Sequence, residues 1–164
     1  MKKYFISLWL IAMLSIPFSI GAESSTLPVT DDCADDAVEA KEIGVPILMV
    51  FSADDCDYCE RLKNDVLKPG IESNQFDRQV LIREVDINAG GKIIDFDGVK
   101  VRTGIFVDRY NIYATPTIVI VDYNGTPLAS PIVGYNNEDS FRQLLSERIE
   151  YAILALDMAQ VAAE

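Results

Sequence analysis

Apolar and polar positions follow one another along this chain in blocks that read as helices and strands in turn. Residues 31–43 begin among acidic side chains, where a helix dipole favours them, and end before Gly44, a helix stop. The run PILMVF, residues 46–51, is short and apolar at every position, as expected of a strand buried on both faces. A polar turn over 52–55 leads into a helix over 57–68, with Tyr58, Leu62, Val66 and Leu67 at helical spacing and Pro69-Gly70 expected to end it. A second strand is expected over 79–87. An inserted hairpin follows over 92–102, with Asp97-Gly98 as a two-residue turn, and a short helix over 103–110. Residues 117–121, TIVIV, form a third buried strand, and Asn124-Gly125 turns the chain into a fourth over 128–133. The chain closes with a long amphipathic helix over 138–160.

Strand, helix, strand, then a hairpin and a closing helix is an α/β plan. It predicts a central mixed sheet of about four strands flanked by helices, its first two strands parallel and its last two antiparallel.

The opening segment follows another pattern. Lys2 and Lys3 precede an almost unbroken apolar run over 4–16, and Gly21-Ala22 supplies small residues at a cut site. This is the pattern of a signal peptide over 1–22, and Pro17 interrupts a run already short for a membrane span. The expectation is an exported protein, in the periplasm of a bacterium, with a flexible leader over 23–30 and one domain over 31–164. Loss of Lys2 and Lys3 moves the formal charge from −12 to −14. So acidic a chain repels nucleic acid and anionic lipid, so no nucleic-acid partner is expected.

The candidate chemistry lies in FSADDCDYCERL, residues 51–62, where Cys56 and Cys59 stand three positions apart. The chain has three cysteines and no histidine. Histidine-dependent catalysis and histidine metal ligation are therefore excluded. Zinc would want about four ligands, and only Cys33 could join the pair, so no metal site and no cofactor is expected. Three uses of the pair stay open: redox chemistry, a plain structural cross-link, and a copper carrier using two thiolates. Redox chemistry leads, because the pair falls at the carboxyl end of a central strand and the N-terminus of a helix. Open α/β sheets place their chemistry at that edge, and a thiolate there is stabilised by free amides and the helix dipole.

In this order and spacing the chain resembles the thioredoxin superfamily, in its exported bacterial branch of thiol–disulfide oxidoreductases. Four features over roughly 31–150 carry the resemblance: CDYC after PILMVFSA, ATPT at 114–117, the Asn-Gly turn, and VGY at 133–135. The resemblance implies that Cys56 is the nucleophile that forms a mixed disulfide and that Cys59 resolves it. It implies that Thr115 and Pro116 form a cis-proline segment facing the pair and docking substrate backbone. Its partners would be thiol- or disulfide-containing proteins. A thioredoxin-fold binding module is the competing class, and an insulin-reduction assay separates the two.

Two departures from the family matter. Thioredoxins place an aromatic residue before the first cysteine, whereas this chain has Asp54-Asp55. The buried carboxylate that thioredoxins keep six positions before that cysteine falls here on Val50, so water or a nearby carboxylate must take the proton of Cys59. Asp54, Asp55 and Asp57 together disfavour the Cys56 thiolate against the helix dipole. A strong oxidant needs an unusually stable thiolate, so the reductase or isomerase side is expected, with a membrane electron donor as its consequence. Cys33, in DDCADD, is expected either to stay unpaired and half-buried or to form an intermolecular disulfide, which leaves the oligomeric state open.

Overall fold

The computed structural model describes residues 27–162; the expected signal segment and the first leader residues lie outside that range. Helix α1 (Cys33–Ile43) starts on Asp32, whose carboxylate accepts the Asp35 N–H at 2.9 Å, and stops at Gly44 in the left-handed conformation, φ 75°. Strand β1 (Ile47–Ser52) is buried at every position. From it the chain enters α2 (Asp57–Leu62), a π-helical turn (Lys63–Leu67) and α3 (Lys68–Glu72), then returns as β2 (Leu81–Asp86). The inserted hairpin is β3 (Lys92–Ile94) and β4 (Lys100–Arg102), followed by α4 (Thr103–Arg109), β5 (Thr117–Val121), β6 (Ile132–Val133) and α5 (Glu138–Val161).

The main sheet has the order β2-β1-β5-β6, with β1 parallel to β2 and the other pairs antiparallel. A central mixed sheet of four strands, a separate two-stranded hairpin and a long closing helix are the expected α/β architecture. Successive residues of β1 point to opposite faces, and each face has its own core. Leu48 and Val50, with Ile118 and Ile120 of β5, pack against Leu62 and Val66 and against Phe141, Leu145 and Ile149 of α5. On the other face Ile47, Met49 and Phe51 meet Cys33, Ala37 and Ala40 of α1 and Phe106 and Tyr110 at α4.

Four local expectations are corrected. Pro69-Gly70 does not end the helix, which runs on to Glu72. The Lys68 N–H reaches back five residues to the Lys63 carbonyl, and the helix restarts with Pro69 in its first turn, where a missing N–H costs little. Second, the Asp97-Gly98 turn, expected as a two-residue loop, is a three-residue loop, and so is the turn at Asn124-Gly125. Asp95 N–H donates to the Val99 carbonyl around Phe96-Asp97-Gly98, and Asp122 N–H to Thr126 around Tyr123-Asn124-Gly125. Each ends in a glycine with φ 78°, the geometry of a turn followed by a bulge. Third, the last strand contracts to Ile132–Val133, because Pro131 has no N–H for the ladder; upstream, only Pro127 bridges to Val121 and Leu128 N–H donates to Ile120. Fourth, the end of the leader is not loose. Leu27 is in the core, and the Pro28 carbonyl and Thr30 N–H bond to Glu84 along the outer edge of β2.

Gly70 therefore serves packing. A Cβ placed there would lie 2.1 Å from Cε2 of Phe76, a buried ring. Gly70→Ala is expected to destabilise the fold by about 1–3 kcal/mol through overpacking. Urea unfolding checks this: the midpoint should fall with the slope unchanged, and an unshifted midpoint would show that Phe76 yields freely.

Candidate active site

The segment after β1 cannot continue as strand, because Ala53, Asp54 and Asp55 turn outward and Cys56 takes an extended conformation, φ −119°, ψ 94°, as the N-cap of α2. Its carbonyl accepts the N–H groups of Cys59 at 2.9 Å and Glu60 at 3.1 Å, and its Sγ accepts the Cys59 N–H at 3.2 Å. The sulfur thus occupies the place of a capping oxygen, among the unpaired amides and positive dipole end of a helix start. Cys56 and Cys59 form a disulfide, S–S 2.13 Å and Cα–Cα 5.2 Å. Their exposures differ. Cys56 is half-buried, whereas Cys59 is 1% exposed.

Across from the pair, the Thr115–Pro116 peptide bond is cis, and the Thr115 hydroxyl lies 3.4 Å from Cys56 Sγ. Pro116 is buried, and its carbonyl accepts the Gly134 N–H at 2.8 Å, tying this segment to the start of the loop before α5. Sequence-predicted Cys56, Cys59, Thr115 and Pro116 are therefore brought to one edge of the sheet. Asp54, Asp55 and Asp57 surround the same edge and are exposed, so their fields act through water. Tyr58 and Tyr113 also stand out there, 54% and 82% exposed. The Arg61 guanidinium lies 5.8 Å from the ring centre of Tyr58 and 5.5 Å from that of Tyr135.

One group escaped the sequence. Val50 is in register with Glu84 on β2, so the two side chains share the α2 face of the sheet. Glu84 is buried. It accepts the Ser52 hydroxyl and lies 2.6 Å from Nζ of Lys63, which also contacts Glu60 at 3.1 Å. Burial opposes the Lys63 charge, but hydrogen bonds and charges from Glu84 and Glu60 outweigh it and raise its pKa. Lys63 is one turn beyond Cys59 on the same helical face, and its N–H donates to the Cys59 carbonyl. An open cavity of about 420 Å³ leads to this cluster past Ser52, Ala53, Asp54 and Asp86. The signal in the sequence was the adjacent pair Arg83-Glu84 within a strand: two charges there need a partner on each face. Arg83 finds Asp36 and Glu39, and Glu84 finds Lys63.

Cys33 corrects another expectation. It is unpaired but 1% exposed rather than half-buried, and it packs on the sheet face opposite α2. Burial, followed by Asp36, Asp95 and Asp32, pushes its thiol far above the ordinary range, so it stays protonated. A sulfur so enclosed is out of reach of an intermolecular disulfide. It also cannot supply a third thiolate to the pair across the sheet, and among the described residues no group of three potential metal ligands occurs.

The fold has counterparts among known proteins. No curated protein sequence matches the chain. Among solved structures, a thioredoxin-fold protein from Helicobacter pylori superposes with a TM-score of 0.51 at 22% identity, covering 74% of this chain and 87% of that one. Thioredoxin O2 from Arabidopsis thaliana gives 0.50 at 20% identity over 75% and 94% of the two chains. Mitochondrial thioredoxin 3 from Saccharomyces cerevisiae gives 0.51 at 14% identity over 74% and 94%. At these identities the likeness is one of fold. The sequence pattern of the thioredoxin-like domain matches residues 33–149, most of the chain and the whole of the site, and the chain belongs to the thioredoxin-like domain family.

Proposed function

We propose that this protein is a thiol–disulfide oxidoreductase acting on protein substrates outside the cytoplasm, on the reductase or isomerase side. The observation that carries it is the asymmetry of the pair: Cys56 caps a helix within reach of the Thr115 hydroxyl, while Cys59 is buried behind it. A structural cross-link gains nothing from a half-buried, amide-lined first sulfur. Export is supported by the basic and apolar opening of the chain.

In the reducing direction the Cys56 thiolate attacks one sulfur of a substrate disulfide. A Cys56–substrate disulfide forms, and the other substrate sulfur leaves as a thiolate. Cys59 then loses its proton and attacks Cys56 Sγ, which restores the Cys56–Cys59 bond and releases the second substrate thiolate. Thr115 and Pro116 hold the substrate backbone beside Cys56. Glu84 is the base for Cys59 in this scheme, because it is the buried carboxylate on that face where Val50 offers none. The membrane electron donor expected from the sequence would regenerate the dithiol.

Insulin reduction by dithiothreitol should be accelerated by the protein and not by Cys56→Ser. In the reduced protein, mass spectrometry after brief iodoacetamide treatment should find Cys56 modified well before Cys59 and Cys33. Equal labelling of Cys56 and Cys59 would remove their separate roles.

Equilibrium with a glutathione buffer should place the pair well below the strong-oxidant value of about −120 mV, nearer to about −270 mV. Asp57→Asn should raise the potential, since losing a like charge stabilises the thiolate and hence the reduced form. A wild-type potential at the oxidant end would place the protein on the other side, and a more reducing Asp57→Asn would overturn the role given to the Asp57 charge.

Glu84→Leu should lower stability by about 3 kcal/mol, because Lys63 then keeps a charge in a mostly buried site with only Glu60 left. Adding Lys63→Met should recover most of that stability. If Glu84 is the base, the recovered double variant should still release substrate at least about tenfold more slowly. A double variant with full turnover would assign Glu84 to structure alone.

A further inference from the structure

We infer that the charges around Cys56 make the pair select its disulfide substrates by charge, favouring cystines flanked by lysine or arginine over anionic ones. The inference rests on the oxidoreductase reading and adds to it the class of substrate.

Asp54, Asp55 and Asp57 are all exposed and lie within two positions of the attacking sulfur. Of the next cations along the helix, Lys63 is held by Glu84 and Glu60, while Arg61, over the rings of Tyr58 and Tyr135, keeps its charge and offsets one carboxylate, so the surround of Cys56 stays net negative. A substrate approaching Cys56 therefore meets carboxylates on both flanks. Tyr113, an exposed ring two positions before Thr115, adds an aromatic face that attracts cations. The net charge of −12 reinforces the bias at longer range. One pair of unit charges about 8 Å apart in water changes a rate about twofold. Three carboxylates less the Arg61 charge, acting with one sign on a cation and the other on an anion, thus separate the two by about tenfold or more at low salt.

Small disulfides of known charge test this without any assumption about the natural partner. The reduced protein is mixed with dicationic cystamine, neutral hydroxyethyl disulfide or dianionic oxidised glutathione. The reaction is stopped by acid and alkylation and followed by mass, and each rate is divided by that of dithiothreitol with the same reagent. The expected order is cystamine, hydroxyethyl disulfide, oxidised glutathione, with at least about tenfold between the extremes at low ionic strength and near parity at about 1 M salt. In Asp54→Asn/Asp55→Asn/Asp57→Asn the low-salt ratio should collapse toward one. The ratio of two rates from one protein cancels any change in its thiolate fraction, so the comparison reads charge recognition and not nucleophile strength. A ratio near one at low salt, or a ratio the triple variant preserves, would overturn charge selection while leaving the oxidoreductase reading intact. Failure to react with hydroxyethyl disulfide would overturn both.

Discussion

A strand apolar on both faces has to be covered twice, and that requirement at β1 organises the molecule. All six of its residues are buried, with side chains alternating into two separate cores. Neighbours on both edges, β2 and β5, absorb its backbone groups, so nothing at its sides meets water. The one way out is along its axis. The chain leaves β1 at its carboxyl end and must turn at once into the helix that covers one face, and Cys56 sits at that turn. The position of Cys56 is thus a by-product of burying the strand.

The same geometry explains why the two sulfurs differ. A helix start offers its first residue to solvent and tucks the residue one turn later against the sheet, so one thiol is accessible and the other enclosed. Behind them, a carboxylate and an ammonium share a mostly buried site, an arrangement whose desolvation cost can exceed its Coulombic gain. Lys63 belongs to the helical run that carries the pair, whereas the three aspartates are exposed and act from the water side.

What could be read in the chain beforehand were features set by local pattern. The continuous apolar run of β1, the acidic start and glycine stop of α1, and the Cys-x-x-Cys after the strand each have a short-range cause, and each stands where expected. What escaped depended on contacts between distant segments. The helix runs past Pro69 because a π turn resets the hydrogen-bond register, and Gly70 is set by the ring of Phe76. The turns at Gly98 and Gly125 share the pattern Asp, aromatic, Asp or Asn, Gly, and in each the backbone N–H of the opening aspartate closes a three-residue loop. Glu84 looked like one charge in a strand; only the pairing of β1 with β2 puts it beside Val50. Cys33 stood among acids in the sequence, but its helix turns it into the core.

Residues 27–30, bonded along β2, bear on how the protein keeps company with other chains. An uncovered sheet edge is a template for any extended polypeptide, and a protein that handles unfolded, cystine-bearing chains would meet such polypeptides constantly. Here one border of the sheet is occupied by the protein's own N-terminal segment, while the other ends in a two-residue strand next to a proline. Neither side offers a long run of vacant donors and acceptors. The sheet margins therefore offer extended foreign chains little to adhere to.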